Sequence, residues 1–205
     1  GEASEGIVVT FLDHTERHRY IRRLRVQHAV SSVLASMQAD TESSPQLLDA
    51  VGRALGWEVG ALWQHGGDEG VLTCTAVWSA DGFDATDFLL ATQGIRFAQG
   101  EGLVGRVWNT AAPEWRDDVQ HDNHYLRRRG AIEAGLHGGV AFPILVGRDV
   151  LGVIEFYSSG VQALDDELAD VVATIGQQIG QVFHRYRIEA AARESRIWNK
   201  AAFES

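Results

Sequence analysis

The sequence predicts an α+β domain built on an antiparallel sheet, with helices at both ends of the chain. Three observations carry that prediction. Strand-like runs come in adjacent pairs joined by short turns, 57–65 with 71–79 and 139–146 with 150–158. Runs so close in sequence pair as hairpins, whereas alternating strands and helices would give a parallel sheet. Apolar residues in the early segment 26–37 and in the last long segment recur at helical spacing. With 205 residues, 45% hydrophobic and 22% charged, the chain has the composition of a folded domain with helical extensions rather than of a disordered one.

The elements follow in order. Gly6 to Asp13 is a short β-branched and aromatic run, read as a strand. Asp13 is a good N-cap, and Val26, Val30, Val33 and Met37 then step by helical spacings, so residues 14–40 read as a helix. Arg17, Arg19, Arg22, Arg23 and Arg25 give it a solvated face. Ser44 and Pro45 open a second helix that ends at Gly56. After the first hairpin, with its Gly66–Gly70 turn, come a short helix over 84–93, a brief strand over 95–97 and a helical turn or two over 103–109. Residues 113–119 are extended, and 124–134 read as a helix ending at Gly135. Gly147-Arg148-Asp149 has the composition of the turn in the second hairpin. In the final helix Leu168, Val172, Ile175, Ile179, Val182 and Tyr186 step by 4, 3, 4, 3 and 4, which is a heptad seam and predicts a homodimer through the terminal helices.

Charge and composition exclude several function classes. A net charge of −10 opposes binding to a polyanion, so no nucleic-acid partner is expected. The longest apolar stretch free of charge, 134–147, is interrupted by His137 and Pro143 and is too short to span a bilayer. The sequence GEASEG has neither a basic nor an apolar leader region, so no secretory signal is expected. One cysteine, Cys74, allows neither an internal disulfide nor a multi-cysteine metal site and fits a reducing, cytoplasmic setting.

The motifs that could carry chemistry are weak one by one. Gly100-Glu-Gly-Leu-Val-Gly105 matches a phosphate-cradling glycine pattern, but no β-α-β unit surrounds it, so the glycines are read as serving a tight turn and close packing. His121 and His124 are spaced for one helical face, but no third ligand of suitable type is evident. No metal site is assigned. Arg127-Arg128-Arg129 is read as a solvated helix face, with an anionic ligand as the alternative. Neither a nucleophile elbow nor a P-loop nor a zinc-protease motif occurs. No catalytic residues are assigned. Of six tryptophans, Trp57, Trp63, Trp78, Trp108 and Trp115 lie in or beside expected core elements, where some are placed to line a cavity for a planar ligand.

Taken in order, Gly100 to Val107, Pro113 to Asp118, Ala141 to Ile144, Gly147 and Leu151 to Glu155 resemble the sequence pattern of GAF domains, over roughly Gln46 to Tyr186. The resemblance implies a central antiparallel sheet with the terminal helices on one face and short helices and loops enclosing a small-molecule pocket on the other. It places Trp63, Phe97, Trp108, Trp115, His124, Tyr125 and His137 as pocket residues. Gly6 to Arg19 resembles the last strand and exit of a PAS domain, and Arg193 to Trp198 with Ala202 to Ser205 resembles the entry to another. The implied organisation is the end of a PAS-like domain over 1–13, a linker helix over 14–40, a GAF domain over 45–186 and a signalling helix over 187–205. Such a segment implies a sensory, non-enzymatic module that relays a signal to an output domain, a histidine kinase or a cyclic-dinucleotide enzyme, outside this sequence. Two alternatives stand beside it: a haem or tetrapyrrole sensor with His124 or His137 as ligand, and a structural dimerisation spacer without a ligand. Bilin-binding relatives carry a cysteine in or beside the helix matching 124–134. None occurs here, which argues against a covalent bilin. The residue set of cyclic-nucleotide relatives is also missing, Lys200 being the one lysine. The ligand is left unidentified.

Overall fold

The structure, a computed structural model, is described over residues 24, 26, 28–35, 44–66, 70–122, 125–161 and 166–203. The strand expected at 6–13, the arginines at 17, 19, 22, 23 and 25, Met37 and His124 lie outside the described residues.

Helical residues 28–35 (α1) are followed by α2 (Ser44–Leu55), β1 (Val59–His65), β2 (Val71–Ser79), α3 (Thr86–Gln93), β3 (Arg96–Ala98) and α4 (Gly102–Thr110). Then come β4 (Glu114–Arg116), α5 (Arg128–Glu133), β5 (Gly139–Val146), β6 (Asp149–Tyr157) and α6 (Asp166–Phe203). Six strands form one sheet in the order β3-β2-β1-β6-β5-β4, and every neighbouring pair is antiparallel. The α+β class and the two hairpins read from the sequence are what the chain forms. The helix expected over 124–134 is shorter, because the chain reaches Tyr125 and Arg127 through turns and becomes helical at Arg128.

The sheet separates two cores. On one face α1, α2 and α6 pack through Val30, Leu34, Leu48, Val51, Val172 and Ile175 onto Leu62, Trp78, Phe142, Ile144, Ile154 and Phe156. On the other face α4 and the short elements cover Ala61, Trp63, Leu72, Ala141 and Val153, continued by Phe88, Tyr125, Leu136 and Tyr157. Two bulges decide which residues face where. Leu62 pairs with Ala76 while Trp63 pairs with Cys74, leaving Thr75 as an extra residue. Ile144 pairs with Gly152 and Leu145 with Val150, leaving Leu151 extra. An extra residue inverts the side-chain alternation, so Leu72 faces one core and Ala76 and Trp78 the other.

The predicted interchain seam is placed within the chain for most of its length. Leu168, Val172, Ile175 and Ile179 are buried in the helix-side core; only Val182 and Tyr186 remain partly exposed. Heptad spacing marks a helical stripe that must be covered, and here the cover is the chain's own sheet. Gly176 and Gly180 set the separation. A Cβ added at Gly176 would come within 2.1 Å of the Pro143 carbonyl oxygen, and one at Gly180 within 2.0 Å of that of Leu145. Helix backbone therefore rests directly on strand backbone.

Alanine at either position is expected to lower stability by about 1–3 kcal/mol through overpacking, more than the roughly 1 kcal/mol gained in helix propensity. Urea unfolding of Gly176→Ala and Gly180→Ala checks the sign; a stabilised variant would show that the contact is looser than described.

Candidate functional site

The sheet face opposite the terminal helices carries one fully buried acid. Glu155 lies in mid-sheet on β6, flanked across the ladders by Ala61 of β1 and Ala141 of β5. Small neighbours on both sides leave room above its carboxylate. Arg127, in the turn before α5, fills that room. Its side chain is 3% exposed and that of Glu155 0%. Arg127 Nη1 donates to Glu155 Oε1 at 2.6 Å and to Thr92 Oγ1 at 3.1 Å. Nη2 donates to Glu155 Oε2 at 2.7 Å and to the Tyr157 hydroxyl at 2.9 Å. The Tyr157 hydroxyl donates in turn to Glu155 Oε2 at 2.6 Å, and Thr92 Oγ1 to the Phe88 carbonyl at 2.7 Å. This is a forked arginine–carboxylate pair with its acceptors well supplied.

Aromatic rings complete the enclosure. The guanidinium carbon lies 5.2 Å from the ring centre of Phe88, 5.4 Å from those of Tyr125 and Tyr157, 5.6 Å from that of Trp63 and 5.8 Å from that of Phe97. Burial is the largest influence and works against the arginine's charge, but Glu155, Tyr125 and Tyr157 together hold the guanidinium protonated. Burial is also the main reason that Tyr125 and Tyr157 stay protonated, their pKa values being pushed upward. Three buried polar atoms around the cage have no hydrogen bond of normal geometry: Arg127 Nε, the Trp63 indole N–H and the Tyr125 hydroxyl.

The structure brings Trp63, Phe97 and Tyr125 of the predicted set together around Arg127. Trp108 is half-buried against the core on the same face, its ring 5.1 Å from that of His65. Trp115 is a correction. It lies on the helix side of the sheet, edge-on to Trp57 at 5.4 Å, because its register partner Val140 faces that way. His137 belongs to a separate polar cluster. Its Nδ1 lies 3.1 Å from Asp118 Oδ2, and its Nε2 3.3 Å from the Gln120 side-chain amide nitrogen. Burial opposes ionisation of Asp118, but hydrogen bonds from His137, the Gln120 backbone and His121 together hold its carboxyl below the ordinary value. His124 lies outside the described residues; among the described residues no group of three or more His, Cys, Asp or Glu is arranged to hold a metal ion.

Sequence reasoning missed Arg127, Glu155, Tyr157, Phe88 and Thr92. Arg127 was read with Arg128 and Arg129 as a solvated face; those two are exposed, whereas Arg127 is buried. The available signal was Glu155 itself. A carboxylate inside the apolar run Leu151 to Tyr157 requires a buried cation somewhere in the chain.

Comparison with known proteins agrees with this architecture. A family model described as GAF domain matches residues 41–184. No curated protein matches the chain significantly. Among solved structures, the GAF domain of a Coxiella burnetii phosphoenolpyruvate-protein phosphotransferase is 17% identical, with 83% of this chain and 98% of that one covered at a TM-score of 0.67. The A. aeolicus nlh2 GAF domain in an inactive state is 20% identical, covering 81% and 98% at 0.64. The free methionine-R-sulfoxide reductase of Neisseria meningitidis, in complex with its substrate, is 14% identical, covering 84% and 93%, also at 0.64. At these identities the likeness is one of fold.

Breaking the buried pair from either side is expected to cost about 3–5 kcal/mol, since it strands a charge. Arg127→Met and Glu155→Gln should each show that loss in urea unfolding. Arg127→Met with Glu155→Leu should recover most of it. Strict additivity of the single losses would contradict the coupling described.

Proposed function

Because the chain belongs to the GAF family, whose members are generally sensory or regulatory, we propose that it is a sensory module that reads the state of the Arg127–Glu155 cage and relays it through α6. The observation that carries this reading is the sheet's two-sidedness. Ala141 and Glu155 face the cage, while their strand neighbours Phe142, Ile154 and Phe156 face α6 and its companions. A change at the cage is thus one residue away from the helix-side core. The relay needs two packings of α6 close in energy, and a coupling of about 1–3 kcal/mol suffices.

The output domain in this proposal is a histidine kinase or a cyclic-dinucleotide enzyme joined beyond α6, with PAS-like neighbours; the motifs at the two ends of the sequence support it. Homodimerisation is part of the proposal. With the upper seam buried, the surface left for a partner helix is the stretch around Tyr186 and Ile188, the latter 57% exposed. The role is read as non-catalytic. Thiol-based redox chemistry would have to run through Cys74, the one cysteine of the chain. Its thiol is pushed up to about 12, chiefly by burial, which disfavours the nucleophilic thiolate. A second reading has one observation behind it. The cage is filled by the chain's own Arg127, as a ligand-free dimerisation spacer would have it.

Hydrogen exchange tests the relay. Arg127→Lys keeps the charge and loses the forked pairing; amides of α6 between 168 and 186 are expected to exchange faster. Changes confined to α3, α5 and β6 would reject it. Sedimentation velocity tests the dimer. The chain is expected to sediment as a dimer, and Tyr186→Glu with Ile188→Glu as a monomer of unchanged helicity; a monomeric unsubstituted chain rejects the dimer.

A further inference from the structure

We infer that the aromatic cage over Glu155 is a binding site for a small organic cation, a guanidinium or methylated ammonium compound, and that Arg127 is its tethered occupant. The inference deepens the sensory reading and rests on it for its regulatory meaning. Five rings within 5.2–5.8 Å of one cationic carbon form an enclosure suited to cations, each ring face offering its negative quadrupole. The carboxylate floor supplies the counter-charge.

Apart from Tyr125, which shares the turn of Arg127, the receiving side and the occupant come from different parts of the fold. Glu155, Trp63 and Tyr157 belong to the two central strands, and Phe88 and Thr92 to α3. Arg127 comes from an outer turn, between the exposed Leu126 and Arg128, ahead of a helix of six residues. A site built on rigid strands and filled from a surface turn can be vacated without unfolding the sheet. The occupant's fit is also incomplete. Besides the occupant's own Nε, the Trp63 indole N–H is buried without a hydrogen bond, leaving on the receiving side a donor that a free ligand with an added acceptor would satisfy.

A tethered side chain acts at an effective concentration in the millimolar range, so a free cation must compete with it. N-Ethylguanidinium, the part of the side chain removed in Arg127→Ala, is the probe, and tetramethylammonium the methylated one. Sodium chloride and urea are the controls. Arg127→Ala is expected to bind N-ethylguanidinium at least about tenfold more tightly than the unsubstituted chain, read by tryptophan fluorescence and by a rise in melting temperature. Adding Glu155→Gln should abolish the effect.

If Arg127→Ala does not fold alone, recovery of its circular dichroism with N-ethylguanidinium, but not with sodium chloride, supports the site. A variant that neither binds the probe nor folds with it overturns the inference. In the unsubstituted chain the Trp63 indole N–H resonance, assigned by Trp63→Phe, is expected to shift with millimolar probe; an unmoved resonance overturns displacement of Arg127. The two levels fail separately. Binding without a change in α6 exchange sinks the relay and keeps the site. Altered α6 exchange in Arg127→Lys with no probe binding keeps the relay and sinks the cation.

Discussion

One buried charge organises the cage side of this molecule. A carboxylate at the centre of a six-stranded sheet, with no exposure to solvent, demands a cation, and the chain supplies it from a turn 28 residues earlier in sequence. Burying two charges costs several kcal/mol per ion before their attraction is counted. That cost is offset only when geometry is good and further hydrogen bonds support both ions, as Tyr157 does here by donating to Glu155 and Thr92 by accepting from Arg127. The pair's net contribution to stability is therefore smaller than its attraction alone. The segment that carries Arg127 is pinned over β6, and Phe88, Tyr125 and Tyr157 take their orientation from what they surround.

The opposite face follows a different rule. It is almost wholly apolar, and its specificity comes from shape. Trp78 lies against α2 while its indole N–H donates to Asp49 at 2.8 Å. Phe142 and Phe156 stack at 6.3 Å. The two cores meet only through the thickness of the sheet, so strand residues a single position apart report to different environments.

Much of this architecture was legible in the sequence, and the parts that were not have physical reasons. The strands 71–79 and 139–146 were read with the bounds they have, because β-branched runs between turn residues leave little choice. Strand facing was not readable. Thr75 and Leu151 are bulge residues whose effect on alternation depends on the partner strand. Trp115 was assigned to the pocket without its strand partner, and its pairing with Val140 puts it behind the pocket. The heptad stripe in α6 was correctly seen as a stripe, but 3.5-residue spacing is common to a helix on a helix and a helix on a sheet. Arg127 was hidden by its two arginine neighbours, whose like composition conceals opposite directions. Tyr125 and Phe97 were placed at a pocket by the resemblance to GAF domains, and the structure sets both rings against Arg127.

The bare contact between α6 and β5 has a mechanical side. No side chain cushions Gly176 and Gly180 against the carbonyls of Pro143 and Leu145, so those positions act as a fulcrum. The helix is 38 residues long, about 57 Å at its ordinary rise. Roughly 35 Å of that lies beyond the fulcrum, toward Phe203. A tilt of about 5° at the strand carries the far end about 3 Å sideways. A movement too small to disturb the sheet thus becomes, at the distal end of the rod, a displacement comparable to half a helical turn.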